Sequence, residues 1–198
     1  MKTFLIVAGI IFIIMLFGTC NIVSTYNELV KNEEAVNNAW SQVENQYQRR
    51  YDLIPNLVST VQGMANFEKS TLTAVIEARA SVGQIKVTKE VLENKMLFQQ
   101  FQQKQGDLTQ ALSRLMVITE NYPNLKANEN FLQLQSQLES TENRIAVERK
   151  RYSEVAQNYN TYLRQLLLPK LVASFGSFTE KAYFQAEQNA NKAPKIVF

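Results

Sequence analysis

The sequence contains no histidine and a single cysteine, Cys20. A disulfide within the chain is therefore impossible, and zinc or haem sites of the usual kinds have too few ligands. The Glu-x-x-His pairs that hold di-iron centres in helical bundles are absent as well. The lack of these residue types argues against the common metal centres, and no cofactor is predicted.

Glycine and proline are also scarce, with 6 and 4 residues among 198. Few turns can be built from them, whereas the abundant Gln, Asn, Leu, Glu and Ala residues suit helices joined by short connections. The length suits one domain with its own core once an N-terminal membrane segment is subtracted. We therefore predict an all-α fold with one domain.

Neither sign of charge dominates, because 21 basic and 18 acidic residues leave a formal net charge of +3. This balance gives no general reason to bind nucleic acid. The sequence also lacks a Gly-rich phosphate loop and a repeat of fixed period. No nucleic-acid partner and no small-molecule substrate is predicted.

A long uncharged stretch lies at the N-terminus, from Thr3 to Val23. Its length is close to the ~20 residues that a bilayer-spanning helix needs. We predict that residues 1–23 form a single-pass membrane anchor. Two alternatives remain, because the uninterrupted apolar run of 14 residues from Phe4 to Phe17 has the length of a signal peptide's hydrophobic region, and L-F-G-T-C loosely matches the pattern that precedes a lipidated cysteine, here Cys20.

The orientation of this anchor depends on few charges. Lys2 precedes the apolar stretch, and Lys31 stands alone among the basic residues that closely follow it. The positive-inside rule therefore slightly favours a cytoplasmic N-terminus. We predict a membrane protein whose remaining domain lies outside the cytoplasm.

Apolar residues recur in steps of three and four over most of the remaining chain, which predicts long amphipathic helices. Four of them are expected, at about 24–64, 67–83, 88–122 and 128–166, followed by a short helix in a Phe-rich segment. Possible N-caps for the last three are Asn66, Thr88 and Asn128. The domain is expected to cover residues 24–187, and residues 188–198 are expected to form an extended tail.

The first helix has two unusual positions. Its apolar stripe passes through Val43, Tyr47 and Tyr51 in two consecutive steps of four, which predicts a local shift of the packing seam. The stripe keeps its register on both sides of Pro55. We therefore predict that the helix continues through Pro55 with a kink rather than a chain reversal.

Several separated segments resemble one protein family. They are A-W-S-Q-V-E-N-Q-Y-Q-R-R-Y-D-L-I-P-N-L-V, V-I-E-A-R-A, E-N-Y-P-N-L-K-A, T-E-N-R-I-A, Y-F-Q-A and A-P-K-I-V-F. In this order they resemble the LemA family of bacterial membrane-anchored helical proteins, whose molecular activity is not established. The resemblance implies a four-helix, up-and-down-type bundle behind an N-terminal transmembrane helix in a bacterial membrane, and it supplies no catalytic residue. It also leaves open the opposite orientation, with the domain in the cytoplasm, because similar proteins are described in that orientation. Two departures are Asn66, where such chains often have His, and Ser177, which interrupts a Phe-Gly-Phe pattern.

Two sets of side chains are candidates for binding a partner. The first is a charged cluster where the first and fourth helices pass, which could bind an anion or a partner carboxylate, although a structural salt-bridge network is favoured. The second is the Phe-rich end, where Phe175, Phe178, Tyr183 and Phe184 are expected to leave some rings unburied. The candidate interaction residues are Arg49, Arg50, Asp52, Glu142, Asn143, Arg144, Phe178 and Phe184.

The function predicted from these patterns is that of a membrane-anchored helical interaction or scaffold protein. No nucleophile–base pair or metal set is evident, so catalysis is not expected. The expected partners are the membrane, further copies of the chain in a homo-oligomer, or other envelope proteins. The alternatives are an accessory subunit of a membrane transporter or protease and, less favoured, a carboxylate-based enzyme.

Overall fold

The computed structural model describes residues 2–63, 67–85, 88–165 and 168–185. Every regular element in these ranges is a helix, which confirms the all-α class. The elements are α1 Lys2–Gln62, α2 Lys69–Gly83, α3 Lys89–Glu93, α4 Lys95–Thr119, α5 Pro123–Lys126, α6 Glu129–Leu163 and α7 Leu168–Gly176. The expected tail at 188–198 lies outside the described residues, as does the candidate cap Asn66.

Helices α1 and α6 form the longest packed pair and run antiparallel. Trp40 of α1 meets Tyr152 of α6 with 5.2 Å between ring centroids, whereas Arg50, ten residues later, meets Glu142, ten residues earlier. Residue numbers on the two helices thus move in opposite directions. This is the arrangement expected of the first and last long helices in an up-and-down bundle.

Helices α2 and α4 form a second antiparallel pair. The ammonium of Lys104 in α4 donates to the carbonyl of Ser81 near the end of α2, at 3.4 Å. At the other end, the ring of Phe67, just before α2, packs against Tyr122, just after α4, with 4.9 Å between ring centroids.

Helices α1 and α4 run parallel, because Trp40 meets Phe98, and Arg50, ten residues later, meets Gln105. Together with the two antiparallel pairs, this means that the four principal helices α1, α2, α4 and α6 alternate in direction.

Helix α1 extends further toward the N-terminus than the predicted start near residue 24. It is unbroken over 61 residues, and it passes through Pro55 as predicted. The sequence between Val23 and Tyr26 is Ser-Thr, without a glycine or proline that would end a helix. The apolar N-terminal stretch and the first helix of the bundle are therefore one helix.

The predicted third helix is divided at Asn94. This residue has an extended backbone, and its side chain accepts hydrogen bonds from the backbone N–H groups of Met96 and Leu97 at 3.0 and 3.2 Å. It thus ends α3 and caps α4. Asn128 caps α6, as predicted, because its side chain accepts a hydrogen bond from the Phe131 N–H at 3.1 Å. Thr88, in contrast, precedes α3 without a side-chain cap bond.

The buried apolar side chains form two clusters along the bundle. The cluster nearer the N-terminal stretch, here called the proximal core, includes Leu29, Trp40, Phe98, Phe101 and Tyr152. The distal core includes Ile54, Leu108, Leu112, Phe131 and Leu138. Both cores combine residues from α1, α4 and α6, which is why these helices are held along their lengths.

Residues Phe178–Gln185, here called the strap, follow α7 and carry no regular helix. The ring of Phe178 meets Tyr26 of α1, and the ring of Phe184 meets Trp40. Fourteen residues of helix rise about 21 Å, and six extended residues span about 20 Å. The strap therefore runs extended along α1, away from the N-terminal stretch.

Among the residues that the structure describes, none of the helices combines the length and the apolar character that a bilayer crossing requires. The predicted anchor includes positions 3, 5, 7, 8, 11 and 14, whose side chains lie outside the described part of the chain.

Candidate functional site

Arg50 is the centre of a buried polar layer between α1, α4 and α6. Its side chain is 1% exposed, and Nη1 donates to the Glu142 carboxylate at 2.6 Å and to the Thr109 hydroxyl at 2.7 Å. Nη2 donates to the side-chain carbonyl of Gln105. The donor thus lies on α1, and its acceptors lie on α4 and α6. A buried guanidinium requires such hydrogen-bond partners.

This polar layer lies between the two cores. On α1, Arg50 stands between the proximal residue Tyr47 and the distal residue Ile54, and on α4, Gln105 stands between Phe101 and Leu108. A single polar layer inside an apolar interface fixes helix register, because any slip would bury the guanidinium against apolar side chains. The layer therefore specifies how α1, α4 and α6 align.

The position of Arg50 corrects the predicted stripe of α1. The prediction assigned the seam to Tyr51, with two consecutive steps of four, but Tyr51 is only partly buried and Arg50 takes the core position. Steps of three and four then alternate without interruption from Tyr47 to Ile54. Tyr51 instead stacks beneath the guanidinium of Arg79, whose carbon lies 3.7 Å from the ring centroid.

The structure brings together only Arg50 and Glu142 from the predicted charged cluster. Arg49 and Asp52 are exposed, and Asp52 accepts a hydrogen bond from Gln48 within α1 at 2.8 Å. Asn143 and Arg144 are exposed and line a shallow surface groove on α6. The cluster therefore separates into four surface residues and an ion pair in which Arg50 is buried and Glu142 is partly exposed.

Sequence reasoning did not identify Gln105 and Thr109, the partners that α4 supplies to Arg50. Gln105 occupies an apolar-stripe position of α4, in the series Phe101, Gln105, Leu108. A glutamine at such a position is a usable signal, because a buried amide needs a polar partner across the interface.

The polar layer offers little chemistry. Burial raises the pKa of Tyr47, beyond the opposing influence of Arg149 and Arg50, so this phenol stays protonated at neutral pH. The two terminal nitrogens of Arg50 already donate within the chain, and its Nε is buried without a hydrogen-bond partner. Within the described residues, no group of three or more Cys, Asp or Glu side chains could hold a metal ion.

A second buried cation, Lys181, fastens the strap to the bundle. Its ammonium donates to the carboxylates of Glu33 at 2.7 Å and Glu93 at 2.6 Å, and its side chain is 1% exposed. Lys89 lies 3.4 and 3.6 Å from the same two carboxylates. Burial opposes ionisation of Glu93, but the hydrogen bonds from Lys181 and Thr179 and the charges of Lys181 and Lys89 outweigh it, so the pKa of Glu93 is lowered.

Polar side chains of the helices also bind the backbone of the strap. Asn160 accepts from the Lys181 N–H at 2.9 Å and donates to the Lys181 carbonyl at 2.8 Å. The Tyr152 hydroxyl donates to the Ala182 carbonyl at 2.8 Å, and the Ala182 N–H donates to the Leu92 carbonyl at 2.7 Å. The extended backbone is thereby satisfied although it lies against the core.

The aromatic residues of the Phe-rich end take different environments. Phe184 packs among Trp40, Phe98 and Tyr152, with ring centroids 4.9 to 6.2 Å away. Phe178 is half-buried against α1. Phe175 and Tyr183, in contrast, are 85% and 44% exposed.

Cys20 is a free, exposed thiol on α1. Its neighbours Thr19 and Asn21 turn their side chains back onto the same helix. The Thr19 hydroxyl donates to the carbonyls of Met15 and Leu16, and the Asn21 amide donates to the Phe17 carbonyl at 2.7 Å. Thr19 and Asn21 thus both donate hydrogen bonds within α1, without a partner helix.

Comparison with known proteins gives a family match and a curated relative. Residues 39–198 match the sequence profile of the LemA family. The chain is 25% identical, over 136 residues, to "Protein LemA" of Metamycoplasma hominis (strain ATCC 23114 / DSM 25592 / NBRC 14850 / NCTC 10111 / PG21). The aligned part covers 68% of this chain and 58% of that relative, so the chain spans less than two thirds of the relative's length.

Proposed function

Since this chain belongs to the LemA family, we propose that it is a membrane-anchored helical interaction protein that assembles with copies of itself or with other envelope proteins, without catalysis of its own. Its anchor is the N-terminal part of α1. Its binding surface is the outer face of the bundle.

The continuity of α1 is the observation that carries this proposal. The helix leads without a break from an apolar stretch into the packed bundle. In that stretch, large apolar side chains such as Phe4, Phe12 and Phe17 are 63 to 74% exposed. A row of exposed apolar side chains of this size is unfavourable in water and favourable in a bilayer.

The back-bonded side chains of Thr19 and Asn21 also support insertion into lipid. A polar group in hydrocarbon is costly unless it is hydrogen-bonded. Both side chains donate to carbonyls of their own helix, which lowers this cost. Cys20 lies between them, and a lipid attached to it remains the alternative means of anchoring.

The bundle is suited to presenting surface at a distance from the membrane. Helix α1 is about 90 Å long at 1.5 Å per residue, and its part after residue 23 packs along the 35-residue helix α6. The strap and the Arg50 layer fix the helices relative to each other. A stiff rod of this kind provides reach and contact area, which a scaffold needs.

The outer face of α6 is the binding surface that we propose. Asn143 and Arg144 line its shallow groove together with Val147, a valine that is 64% exposed. Arg49 adds a second exposed cation on α1. An accessory subunit of a membrane transporter or protease would use the same surface. The identity of the bound partner therefore distinguishes an accessory subunit from a scaffold protein.

Crosslinking in native membranes tests this surface. A photo-crosslinking amino acid at position 143 should capture a second copy or another envelope protein, and Arg144→Glu should abolish the capture. Arg114→Glu is the matched control, because Arg114 is an exposed arginine on α4 and its reversal should leave capture unchanged. Three results together would contradict the scaffold function: no crosslink forms, the protein is monomeric in detergent, and the purified chain turns over a substrate. The protein would then be an enzyme.

We also propose that the bundle lies outside the cytoplasm. The test places a cysteine at the exposed position Val147 in a Cys20→Ala background. This cysteine should react with a membrane-impermeant maleimide in cells whose outer permeability barrier is opened while the inner membrane stays intact. Reaction only after the inner membrane is broken would place the bundle in the cytoplasm.

A further inference from the structure

Helix α7 has two apolar faces, of which the bundle covers one. Val172 and Ala173 are buried in the proximal core. On the other side, Leu168, Leu171 and Phe175 are 38, 52 and 85% exposed. Their spacing of three and four residues places them on one face of the helix. The described chain thus leaves a large part of this apolar face open to an occupant.

The position of α7 along α1 narrows the choice of occupant. Val172 and Ala173 share the proximal core with Leu29, and the ring of Phe178, just past the end of α7, lies 5.5 Å from that of Tyr26. Tyr26 follows closely on Val23, the last residue of the uncharged stretch. Helix α7 therefore lies beside α1 where the apolar stretch ends.

The exposed apolar surface continues from α1 toward α7. Ile22, Val23 and Tyr26 of α1 are 43 to 58% exposed at the same level of the molecule. Tyrosines are enriched at the boundary between hydrocarbon and water, where the ring is buried and the hydroxyl stays wet. Lys170, exposed on α7, can reach lipid phosphates from the same place.

We propose that α7 lies in the headgroup region of the membrane, with Leu168, Leu171 and Phe175 directed toward the acyl chains. Amphipathic helices bind this region through one apolar face. The inference rests on the proposed anchoring of α1. A protein partner fits less well, because three side chains on a nine-residue helix fall far short of the ~800 Å² per partner that a stable protein interface buries.

This contact would hold the bundle at a set angle. The anchor alone is one helix, about which the rod is free to tilt and rotate within the membrane. Helix α7 adds a second contact beside the first, and the proximal core joins it rigidly to α1. The α6 surface would then face a constant direction relative to the membrane.

Depth-resolved fluorescence of the full chain tests this inference. Single cysteines at positions 15, 147 and 175 in a Cys20→Ala background carry the same environment-sensitive dye, and the protein is reconstituted in phosphatidylethanolamine and phosphatidylglycerol vesicles. Met15, Val147 and Phe175 are all strongly exposed, at 66, 64 and 85%, so the dye leaves the core intact. Nitroxide lipids labelled near the headgroup or deep in the acyl chain serve as quenchers.

The proposal predicts that the dye at 175 loses fluorescence to the shallow nitroxide more than to the deep one. The dye at 15 should show the reverse order, and the dye at 147 should respond only to an aqueous quencher. Lipid quenching at 15 with a water-exposed dye at 175 would overturn the α7 inference while keeping the anchor. No lipid quenching at 15 would overturn the proposed function, and protection at 175 from both kinds of quencher would show a protein partner instead of lipid.

Discussion

Arg50 and Lys181 are the buried basic side chains of the described chain, and each joins elements that are far apart in sequence. Arg50 joins α1 to α4 and α6, whereas Lys181 joins the strap to Glu33 of α1 and Glu93 of α3. Both are partnered by carboxylates that are partly accessible to water. Their effect on stability therefore depends on position as well as on charge.

The first residue-scale prediction compares two adjacent arginines. Arg50→Met should lower the free energy of unfolding by about 3 kcal/mol, because it leaves Glu142 and Gln105 unpaired beside the core. Arg49→Met removes an exposed charge and should change it by less than about 0.5 kcal/mol. Denaturant unfolding of the full chain in detergent, followed by circular dichroism, measures both. Equal effects would show that the Arg50 layer does not fix the bundle.

The second residue-scale prediction concerns acid. The pKa of Glu93 is lowered below its ordinary value of 4.5 in the folded chain, so its ionised form stabilises the fold above that value. This stabilisation is lost as the pH falls through the lowered pKa. Glu93→Gln should therefore be less stable than the parent at pH 7, and the difference should shrink steadily below about pH 4.5.

Thermal unfolding between pH 3 and pH 7 measures this difference. Glu90→Gln is the control, because Glu90 lies on the same short helix with an exposed side chain. Its effect should be small at every pH. A Glu93→Gln deficit that stays constant down to pH 3 would contradict the assignment of Glu93 to the Lys181 ion pair.

At the scale of elements, the end of α7 has a specific geometry. Ser177 has φ 56°, in the left-handed region, and the Phe178 N–H donates to the Ala173 carbonyl at 3.1 Å. This bond and the left-handed residue form a Schellman C-cap, a position that favours glycine. The F-G-S-F segment thus places its glycine one residue before the position that needs it.

The element-scale prediction is that Ser177→Gly raises the free energy of unfolding by about 0.5–1 kcal/mol, since glycine enters the left-handed region without strain. Ser174→Gly, inside α7, should lower it by about 0.5–1 kcal/mol, because glycine weakens a helix interior. Thermal unfolding of the two variants gives opposite shifts. A destabilised Ser177→Gly variant would show that the serine contributes more than its backbone conformation costs.

Element prediction from the sequence succeeded where periodicity and caps acted together. The stripe on both sides of Pro55 predicted a continuous helix, and Asn128 before an apolar run predicted the start of α6. The start of α1 was wrong because no local signal separates an apolar helix from the amphipathic helix that follows it. The division at Asn94 was missed because the apolar stripe continues through it while the backbone does not.

The seam of α1 shows a second limit of periodicity. Of these two neighbours, Tyr51 fits the apolar stripe, whereas Arg50 carries a charge. The structure nevertheless buries the arginine and leaves the tyrosine partly exposed. Only the partners on α4 and α6 make this choice favourable. The buried arginine depends on partners 55 to 92 positions away in the sequence, and a local pattern cannot show them.

Across the whole molecule, the alternating direction of the principal helices agrees with the up-and-down-type bundle that the family resemblance implies. The strap could not be predicted in the same way. Its extended backbone is fixed by Asn160, Tyr152 and Gln102, and Phe184 fills a gap among rings of three helices. Such contacts exist only after the bundle has formed, so the sequence predicted that some rings of the Phe-rich segment stay unburied but not which ones.

We propose above all that the N-terminal part of α1 holds the protein in a membrane. The most direct measurement compares the full chain with a chain lacking residues 1–23, by centrifugation of cell membranes after alkaline extraction. We predict that the full chain and its Cys20→Ala variant stay in the pellet, whereas the shortened chain is a soluble helical domain. A shortened chain that still pellets, or a full chain that alkali releases, would contradict anchoring through the N-terminal part of α1. Loss of only the Cys20→Ala variant from the pellet would show anchoring through a lipid on Cys20 instead.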